Sequence, residues 1–191
     1  TAVVDTNKDS ATAMAQLTDA EAFFDLEEAL KNGDFEAVDI MLPHNLHESA
    51  ALACFSAGKH VLLEKPMAHS LESAERILQA SQKVTTTFMI AEQAQYWTDV
   101  IKARELMDAG AIGEVISASG NFYDRVVIDP DAPPPWRYSL TISGGGVTMD
   151  GGAHWIRPLR MMMGEVDEVI GVAGRHVPRM ESESWSRMLM K

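Results

Sequence analysis

Two charged side chains follow directly after a short apolar run near the middle of the chain. Residues 61–63 are Val-Leu-Leu, which is typical of a strand buried on both faces, and Glu64, Lys65 and Pro66 come next. Ligands bind at the carboxyl ends of the strands in an open α/β sheet, and proline ends a strand because it lacks a backbone donor. The pattern therefore predicts a binding site at Glu64 and Lys65. The alternative is a strand end with two solvated surface charges.

A second group of chemically active side chains lies in the glycine-rich segment 144–157. Asp150, His154 and Arg157 are spaced i, i+4 and i+7, so on a helix they would face the same way. A carboxylate one turn from an imidazole can fix its tautomer and stabilise its protonated form, which suits a general acid or base. The alternative is a helix with an ordinary polar stripe.

Asp5, His44 and His47 carry weaker signals. Asp5 ends an apolar run, where a dinucleotide fold places the carboxylate that binds the adenosine ribose, but an acid at that position can also cap a helix. The glycine-rich turn expected before it is absent. His44 and His47 are three residues apart, and without a cysteine partner or an evident third ligand they favour loop packing and cofactor contact over a metal.

Strand and helix patterns alternate in the first half of the chain. Helical patterns at residues 11–17, 25–30, 48–57 and 71–80 separate predicted strands at 2–4, 22–24, 37–42, 61–63 and 84–90. Asp25 and Ser70 stand where helix N-caps are expected. Strands and helices that alternate at this spacing form right-handed parallel crossovers, so we expect a parallel sheet of the α/β class.

The second half of the chain has a different pattern. Helical periodicity covers residues 100–107, and residues 115–122 alternate like a strand with one solvated face, which would begin a second sheet. An acidic, proline-rich loop is predicted at 129–135, directly before Trp136 and Arg137. We place a domain boundary after residue 92.

The composition excludes several classes of protein. The net charge of −12 over 191 residues, without a Lys/Arg cluster, argues against nucleic acid or an anionic membrane as partner. No apolar run approaches the length of a membrane span, and no signal peptide opens the chain. The single cysteine, Cys54, cannot form an internal disulfide, so we expect a buried structural thiol in a cytoplasmic protein. Both ends fall inside strand-like patterns, so we expect a segment of a longer protein.

Four segments in the same order resemble motifs of the Gfo/Idh/MocA family of NAD(P)-dependent oxidoreductases. Residues 37–47 resemble the strand and turn beside the nicotinamide, and residues 57–66 resemble the family's Glu-Lys-Pro signature. Residues 109–115 resemble the lead into the second-domain sheet, and residues 150–154 its Asp-x-Gly-x-His motif. The resemblance implies an incomplete Rossmann-type parallel sheet over residues 1–92, lacking its glycine-rich first unit. A partial α+β domain with a mostly antiparallel sheet would follow over residues 93–191.

The resemblance also implies a role for each site residue. Lys65, Asp150 and His154 would be catalytic, with His154 as the base, Asp150 orienting it and Lys65 stabilising the alkoxide. Asp5 would bind the adenosine ribose, which favours NAD, with NADP also possible. The implied cofactor site contains Asp5, Pro43, Asn45, His47, Glu64, Lys65 and Gln93. The implied substrate site contains Lys65, Tyr96, Trp136, Arg137, Asp150, His154 and Arg157. No metal is implied.

The implied reaction is hydride transfer between NAD(P) and a secondary alcohol or ketone of a sugar, polyol or related small molecule. Arg157 stands where the family commonly has an acid, so it could favour an acidic sugar or pair with Asp150. A shortened, non-catalytic binding or scaffold subunit is the alternative, and a reductase for a dihydrodiol or cyclic imine is a third reading. The family's second-domain sheet implies a homo-oligomer.

Overall fold

The computed structural model describes residues 1–124, 129 and 131–191, so Pro130 of the predicted loop lies outside the described residues. The chain divides into two units. The first unit comprises Thr1–Leu42 and Leu46–Ile90, and the second comprises Pro43–Asn45 and Ala91–Lys191. Among the described helices, none combines the length and the apolar composition that crossing a membrane requires.

Short strands and helices alternate through the first unit. Its strands are β1 (Ala2–Val4), β2 (Glu21–Phe23), β3 (Ala37–Ile40), β4 (His60–Glu64) and β5 (Phe88–Ala91). Its helices are α1 (Lys8–Thr18), α2 (Leu26–Asn32), α3 (His47–Ser56) and α4 (Leu71–Ser81), and a 3₁₀ turn covers His44–Leu46. The strands β1 and β2 pair in parallel, as do β3 and β4, and β5 lies beside β4. The predicted parallel α/β sheet is therefore confirmed.

The core of the first unit lies against one face of the β3–β4 pair. Val38 is opposite Val61 and Ile40 is opposite Leu63, and these side chains pack with apolar residues of α3 and α4. Leu62, between the two buried residues of β4, is 36% exposed. The prediction of a strand buried on both faces was therefore wrong, because successive side chains of a strand point to opposite faces and the core lies on the Val61 and Leu63 side.

Side-chain caps set the starts of two helices as predicted. Asp25 accepts a hydrogen bond from the backbone N–H of Glu28, and Ser70 accepts one from the backbone N–H of Ser73. The strand predicted at residues 84–90 begins later in the structure, where β5 starts at Phe88. Val84 nevertheless packs against the core.

Short helical segments precede a two-stranded sheet in the second unit. The helices are α5 (Thr98–Asp108), α6 (Leu140–Ser143), α7 (Val147–Asp150) and α8 (Ala153–Met163), with 3₁₀ turns at Gln93–Tyr96 and Trp136–Tyr138. The strands β6 (Val169–Gly174) and β7 (Trp185–Met190) pair antiparallel, with Val169 opposite Met190. A parallel sheet and a separate antiparallel sheet are thus both present, as predicted.

The strand predicted over residues 115–122 is not formed. Its backbone is irregular in the structure, and Ile116 is 92% exposed. A strand needs a neighbouring backbone with which to pair, and in the described part of the chain no segment pairs with these residues. The alternation of apolar and polar residues was therefore insufficient by itself to predict a strand.

Candidate active site

One buried histidine joins the loops that follow β3 and β4. The side chain of His47 is fully buried, its Nδ1 lies 2.9 Å from the carbonyl oxygen of Pro66, and its Nε2 lies 2.9 Å from that of Leu42. A neutral imidazole donates one of these bonds and a protonated one donates both. The ring therefore holds together two loops at the edge of the sheet where α/β folds bind ligands.

Lys65 follows directly after β4 at this edge. Glu64 ends the strand, both side chains are half-buried, and the carboxylate of Glu64 accepts a hydrogen bond from the backbone N–H of Lys65 at 3.0 Å. Asp5 follows β1 and is exposed, and its carboxylate accepts a hydrogen bond from the backbone N–H of Asn7. All three side chains thus lie at carboxyl ends of strands, as the sequence predicted.

His154 is the central titratable side chain of the second unit. It lies in the first turn of α8, and its Nδ1 is 2.8 Å from Oε1 of Glu92. The two side chains are 19% and 12% exposed, and the ring of Trp97 lies beside the imidazole at a centroid distance of 6.3 Å. A half-buried imidazole whose second nitrogen bonds a carboxylate has the arrangement of a general base.

The predicted pairing of His154 with Asp150 was therefore wrong. The helical hydrogen-bond pattern is interrupted between α7, which ends at Asp150, and α8, which begins at Ala153, because the backbone N–H of Gly152 bonds the carbonyl oxygen of Val147, five residues back. The i, i+4 rule holds only within a continuous helix, so the spacing does not bring these two side chains together. The carboxylate that contacts the imidazole comes from a residue 62 positions away.

Asp150 pairs with Arg137. Nε of Arg137 donates to Oδ2 of Asp150 at 3.1 Å, and the guanidinium lies 4.3 Å from the ring centre of Trp136. Trp136 in turn contacts the buried ring of His44 edge-on at 4.7 Å, and Nδ1 of His44 is 2.8 Å from the carbonyl oxygen of Ser143. Three predicted site residues, Trp136, Arg137 and Asp150, are therefore in one contact chain.

Arg157 bonds a neutral side chain. Its Nε and Nη2 lie 3.3 and 2.9 Å from Oε1 of Gln95, while Nε2 of Gln95 donates to the backbone carbonyl of Glu92. The prediction that Arg157 could pair with Asp150 is not met. Gln93 and Tyr96, in the same 3₁₀ turn as Gln95, are exposed. Pro43 is half-buried and Asn45 is exposed in the short first segment of the second unit.

A single glutamate holds the start of α7. The carboxylate of Glu183 accepts hydrogen bonds from the backbone N–H groups of Gly146 and Thr148, and its backbone carbonyl accepts one from Val147. These N–H groups open the helix and have no partner within it. Glu183 therefore fixes the segment that ends in Asp150.

Three of these residues, namely Glu92, Gln95 and Glu183, were not predicted from the sequence. A signal for the first two was present, because Glu92 directly follows β5, as Glu64 ends β4, and the spacing of Glu92 and Gln95 equals that of His154 and Arg157. Glu183 carried no such signal. Within the described residues, no three His, Cys, Asp or Glu side chains are grouped so that they could hold a metal ion.

Comparisons with known proteins agree with this architecture. Residues 1–92 match the family model described as an oxidoreductase family with an NAD-binding Rossmann fold, and residues 100–191 match the Gfo/Idh/MocA C-terminal domain. An oxidoreductase structure from Thermotoga maritima superposes with a TM-score of 0.85 at 27% identity, over 100% of this chain and 59% of that chain.

Two curated relatives are named as dehydrogenases of sugars. Levoglucosan dehydrogenase of Pseudarthrobacter phenanthrenivorans is 30% identical over 84% of this chain and 41% of its own length. D-xylose 1-dehydrogenase [NADP(+)] of Haloarcula marismortui is 32% identical over 68% of this chain and 36% of its own length. The chain thus spans less than half the length of either relative. Because both domain models of one family match successive parts of it, the chain belongs to the Gfo/Idh/MocA family of oxidoreductases.

Proposed function

We propose that this chain is part of an oxidoreductase that transfers a hydride between NAD(P) and a secondary alcohol or ketone of a sugar, polyol or related small molecule. The observation that carries the proposal is the pair of contacts between the His47 ring and two backbone carbonyl oxygens. These contacts hold the loops after β3 and β4 together at the carboxyl edge of a parallel sheet. Lys65 stands on the second of these loops. The family membership and the sugar dehydrogenases among the relatives support the same reaction class.

The residues present suit a nicotinamide dinucleotide. The exposed carboxylate of Asp5 at the end of β1 can accept hydrogen bonds from ribose hydroxyls, and it disfavours a 2′-phosphate, so NAD is the preferred cofactor and NADP the second. The other residues proposed to line this site are Pro43, Asn45, His47, Glu64, Lys65 and Gln93. His47 would act there by positioning the loops, because its side chain is fully buried.

The proposed chemistry divides between a base and a cation. When bound, the nicotinamide would accept the hydride from the carbinol carbon, so that the alcohol would be oxidised to a ketone as the cofactor is reduced. Nε2 of His154 takes the hydroxyl proton, because Nδ1 is occupied by Glu92. The ammonium group of Lys65 stabilises the alkoxide that develops as this proton leaves. Asp150 stays in the proposed catalytic set through its bond to Arg137, a proposed substrate contact, because the imidazole of His154 is oriented by Glu92.

We propose that the substrate carries an anionic group. Among the described residues the hydrogen-bond partner of Arg157 is the neutral amide of Gln95, so no carboxylate in this part of the chain neutralises the guanidinium. Arg157 is exposed and lies one turn after His154 on α8. A planar guanidinium that is already oriented binds carboxylate or phosphate well. Tyr96, Trp136 and Arg137 would supply the remaining substrate contacts.

The proposal extends to location and assembly. A cytoplasmic enzyme fits the single, buried Cys54. In the hairpin of β6 and β7, the side chains of Ile170 and Leu189 are 73% and 72% exposed. We propose that the intact protein self-associates through this sheet. Sedimentation equilibrium of the intact protein tests the assembly, and a monomer at all concentrations would contradict it.

The decisive experiment measures hydride transfer by the intact protein with NAD and NADP against a panel of sugars, polyols and sugar acids. Replacing Lys65 by Ala should reduce turnover about 10²-fold or more while calorimetry detects nearly unchanged NAD binding. Lys83→Ala, which removes an exposed lysine of the first unit, is the matched control and should leave turnover unchanged. Normal turnover by the Lys65 variant would remove Lys65 from the mechanism, and no turnover of any substrate by the unmodified protein would contradict the proposed function.

A further inference from the structure

We infer that Glu92 is a positioning residue for His154, which holds the imidazole in the tautomer with hydrogen on Nδ1 and leaves Nε2 as the basic nitrogen. The observation is the 2.8 Å contact between Nδ1 of His154 and Oε1 of Glu92. An ionised carboxylate only accepts hydrogen bonds, so the imidazole nitrogen that faces it carries the hydrogen. The inference rests on the proposed function only in its last step, in which Nε2 acts as the base.

The carboxylate of Glu92 is itself held in place. The residue is 9% exposed, and its Oε1 also accepts a hydrogen bond from the backbone N–H of Ala94 at 2.9 Å. Glu92 thereby caps the 3₁₀ turn Gln93–Tyr96, and this hydrogen bond holds its side chain in one rotamer. An acceptor with a fixed direction can orient the ring as well as select its tautomer.

Two further contacts hold this turn and α8 in the same register. Arg157, one turn after His154, donates to Gln95, three residues after Glu92. Trp97, which follows the turn, packs edge-on against Trp155 at 6.0 Å. The pair of Glu92 and His154 therefore lies within a set of matched contacts and does not depend on one flexible side chain.

The second oxygen of Glu92 indicates what the pair does during proton transfer. Oε2 is buried and has no hydrogen-bond partner among the described residues. A buried carboxylate oxygen that is not fully bonded favours positive charge nearby. When Nε2 of His154 accepts a proton, the imidazolium that forms is bonded to this carboxylate and is stabilised by it.

The test measures the tautomer directly, without substrate. Long-range ¹H–¹⁵N spectra of the histidine-labelled intact protein are recorded at about pH 9, where histidine is ordinarily neutral, and His154→Gln identifies the signal. We expect unmodified His154 to carry hydrogen on Nδ1. Glu92→Gln should change the ratio of the two tautomers by about tenfold or more, because an amide can also donate to Nδ1. In the active enzyme kcat should fall about 10²-fold or more, with KM for the cofactor within about twofold.

The controls separate this inference from folding and from the proposed function. The signals of the other five histidines of this chain should be unchanged in Glu92→Gln if the fold is intact. Glu105→Gln, which removes an exposed glutamate of α5, should alter neither tautomer nor kcat. Hydrogen on Nε2 of His154 in the unmodified protein would overturn the inference whatever the variant does. A fixed Nδ1–H tautomer in a protein inactive on every substrate would overturn the proposed function alone.

Discussion

The guanidinium of Arg157 is bonded by the side-chain amide oxygen of Gln95, at 2.9 and 3.3 Å from two of its nitrogens. An amide orients a guanidinium without neutralising it, so the positive charge of Arg157 remains available to a ligand. On the same helix Arg160 pairs with a carboxylate, that of Glu165. The two arginines therefore differ in a way that can be tested.

Arg157→Gln should weaken binding of anionic substrates selectively. Removal of a charged hydrogen-bonding partner costs about tenfold or more in KM for a sugar acid such as D-glucuronate, while KM for neutral D-glucose changes within about twofold. Steady-state kinetics on the two sugars measure the difference. Arg160→Gln removes the same charge one turn away and is expected to leave both KM values unchanged. Equal effects of Arg157→Gln on the two sugars would show that this arginine only packs the turn.

Gly146→Ala should destabilise the second unit. A Cβ at Gly146 would lie 1.9 Å from the backbone carbonyl oxygen of Glu183, the same residue whose carboxylate binds the N–H groups of Gly146 and Thr148. Because the obstructing atom belongs to the backbone, the start of α7 must move, and we expect the free energy of unfolding to fall by about 2 kcal/mol or more. Urea denaturation of the intact protein measures it. In Gly120→Ala the nearest atom, in the ring of Trp155, is 3.5 Å away, so this variant should lose little stability.

Glu48 should make stability depend on acid pH. Hydrogen bonds from Arg76 and then Ser73 lower the pKa of Glu48 from 4.5 to about 2, and they join α3 to α4. A depressed folded-state pKa gives stability that is fully present above about pH 4.5 and is lost as the pH falls through about 2. Since the Arg76 side chain is 54% exposed, we expect Glu48→Gln to cost only about 1 to 2 kcal/mol at neutral pH.

The difference between the Glu48→Gln protein and the unmodified protein should shrink as the pH falls toward 2. Thermal unfolding between about pH 2 and pH 7 measures it. Glu75→Gln, an exposed glutamate on α4, is the control and should be nearly neutral throughout. A penalty for Glu48→Gln that did not vary with pH would mean that packing, and not the charge of the carboxylate, joins the two helices.

Local patterns predicted the local structure well. The caps at Asp25 and Ser70 depend on residues within three positions, and the parallel order of β3 and β4 follows from the helical crossover that connects them. These features are encoded by neighbours in the chain. The positions of Asp5, Glu64 and Lys65 at the carboxyl ends of β1 and β4 could therefore be predicted from the order of residues alone.

Long-range pairings could not be predicted in this way. Periodicity assumes one continuous helix, and Gly151 and Gly152 interrupt it between Asp150 and His154. The carboxylates that bond His154 and the start of α7 come from Glu92 and Glu183, each separated from its partner by more than 30 residues. Such contacts depend on tertiary packing, which hydrophobic patterning alone does not specify.

Cys54 should be chemically inert in the folded protein. The residue is fully buried in the core of the first unit, and burial raises the pKa of its thiol to about 11, although nearby Lys59 acts in the opposite direction. Because the thiolate is the reactive form, only about one thiol in a thousand is ionised at pH 8. Iodoacetamide should therefore modify Cys54 only after unfolding, as mass spectrometry of the native and urea-treated protein would detect. Ser56→Cys places a second thiol at an exposed position of the same helix, and of these two thiols only the introduced one should react in the native protein. Rapid alkylation of native Cys54 would show that the core between α3 and the sheet opens readily.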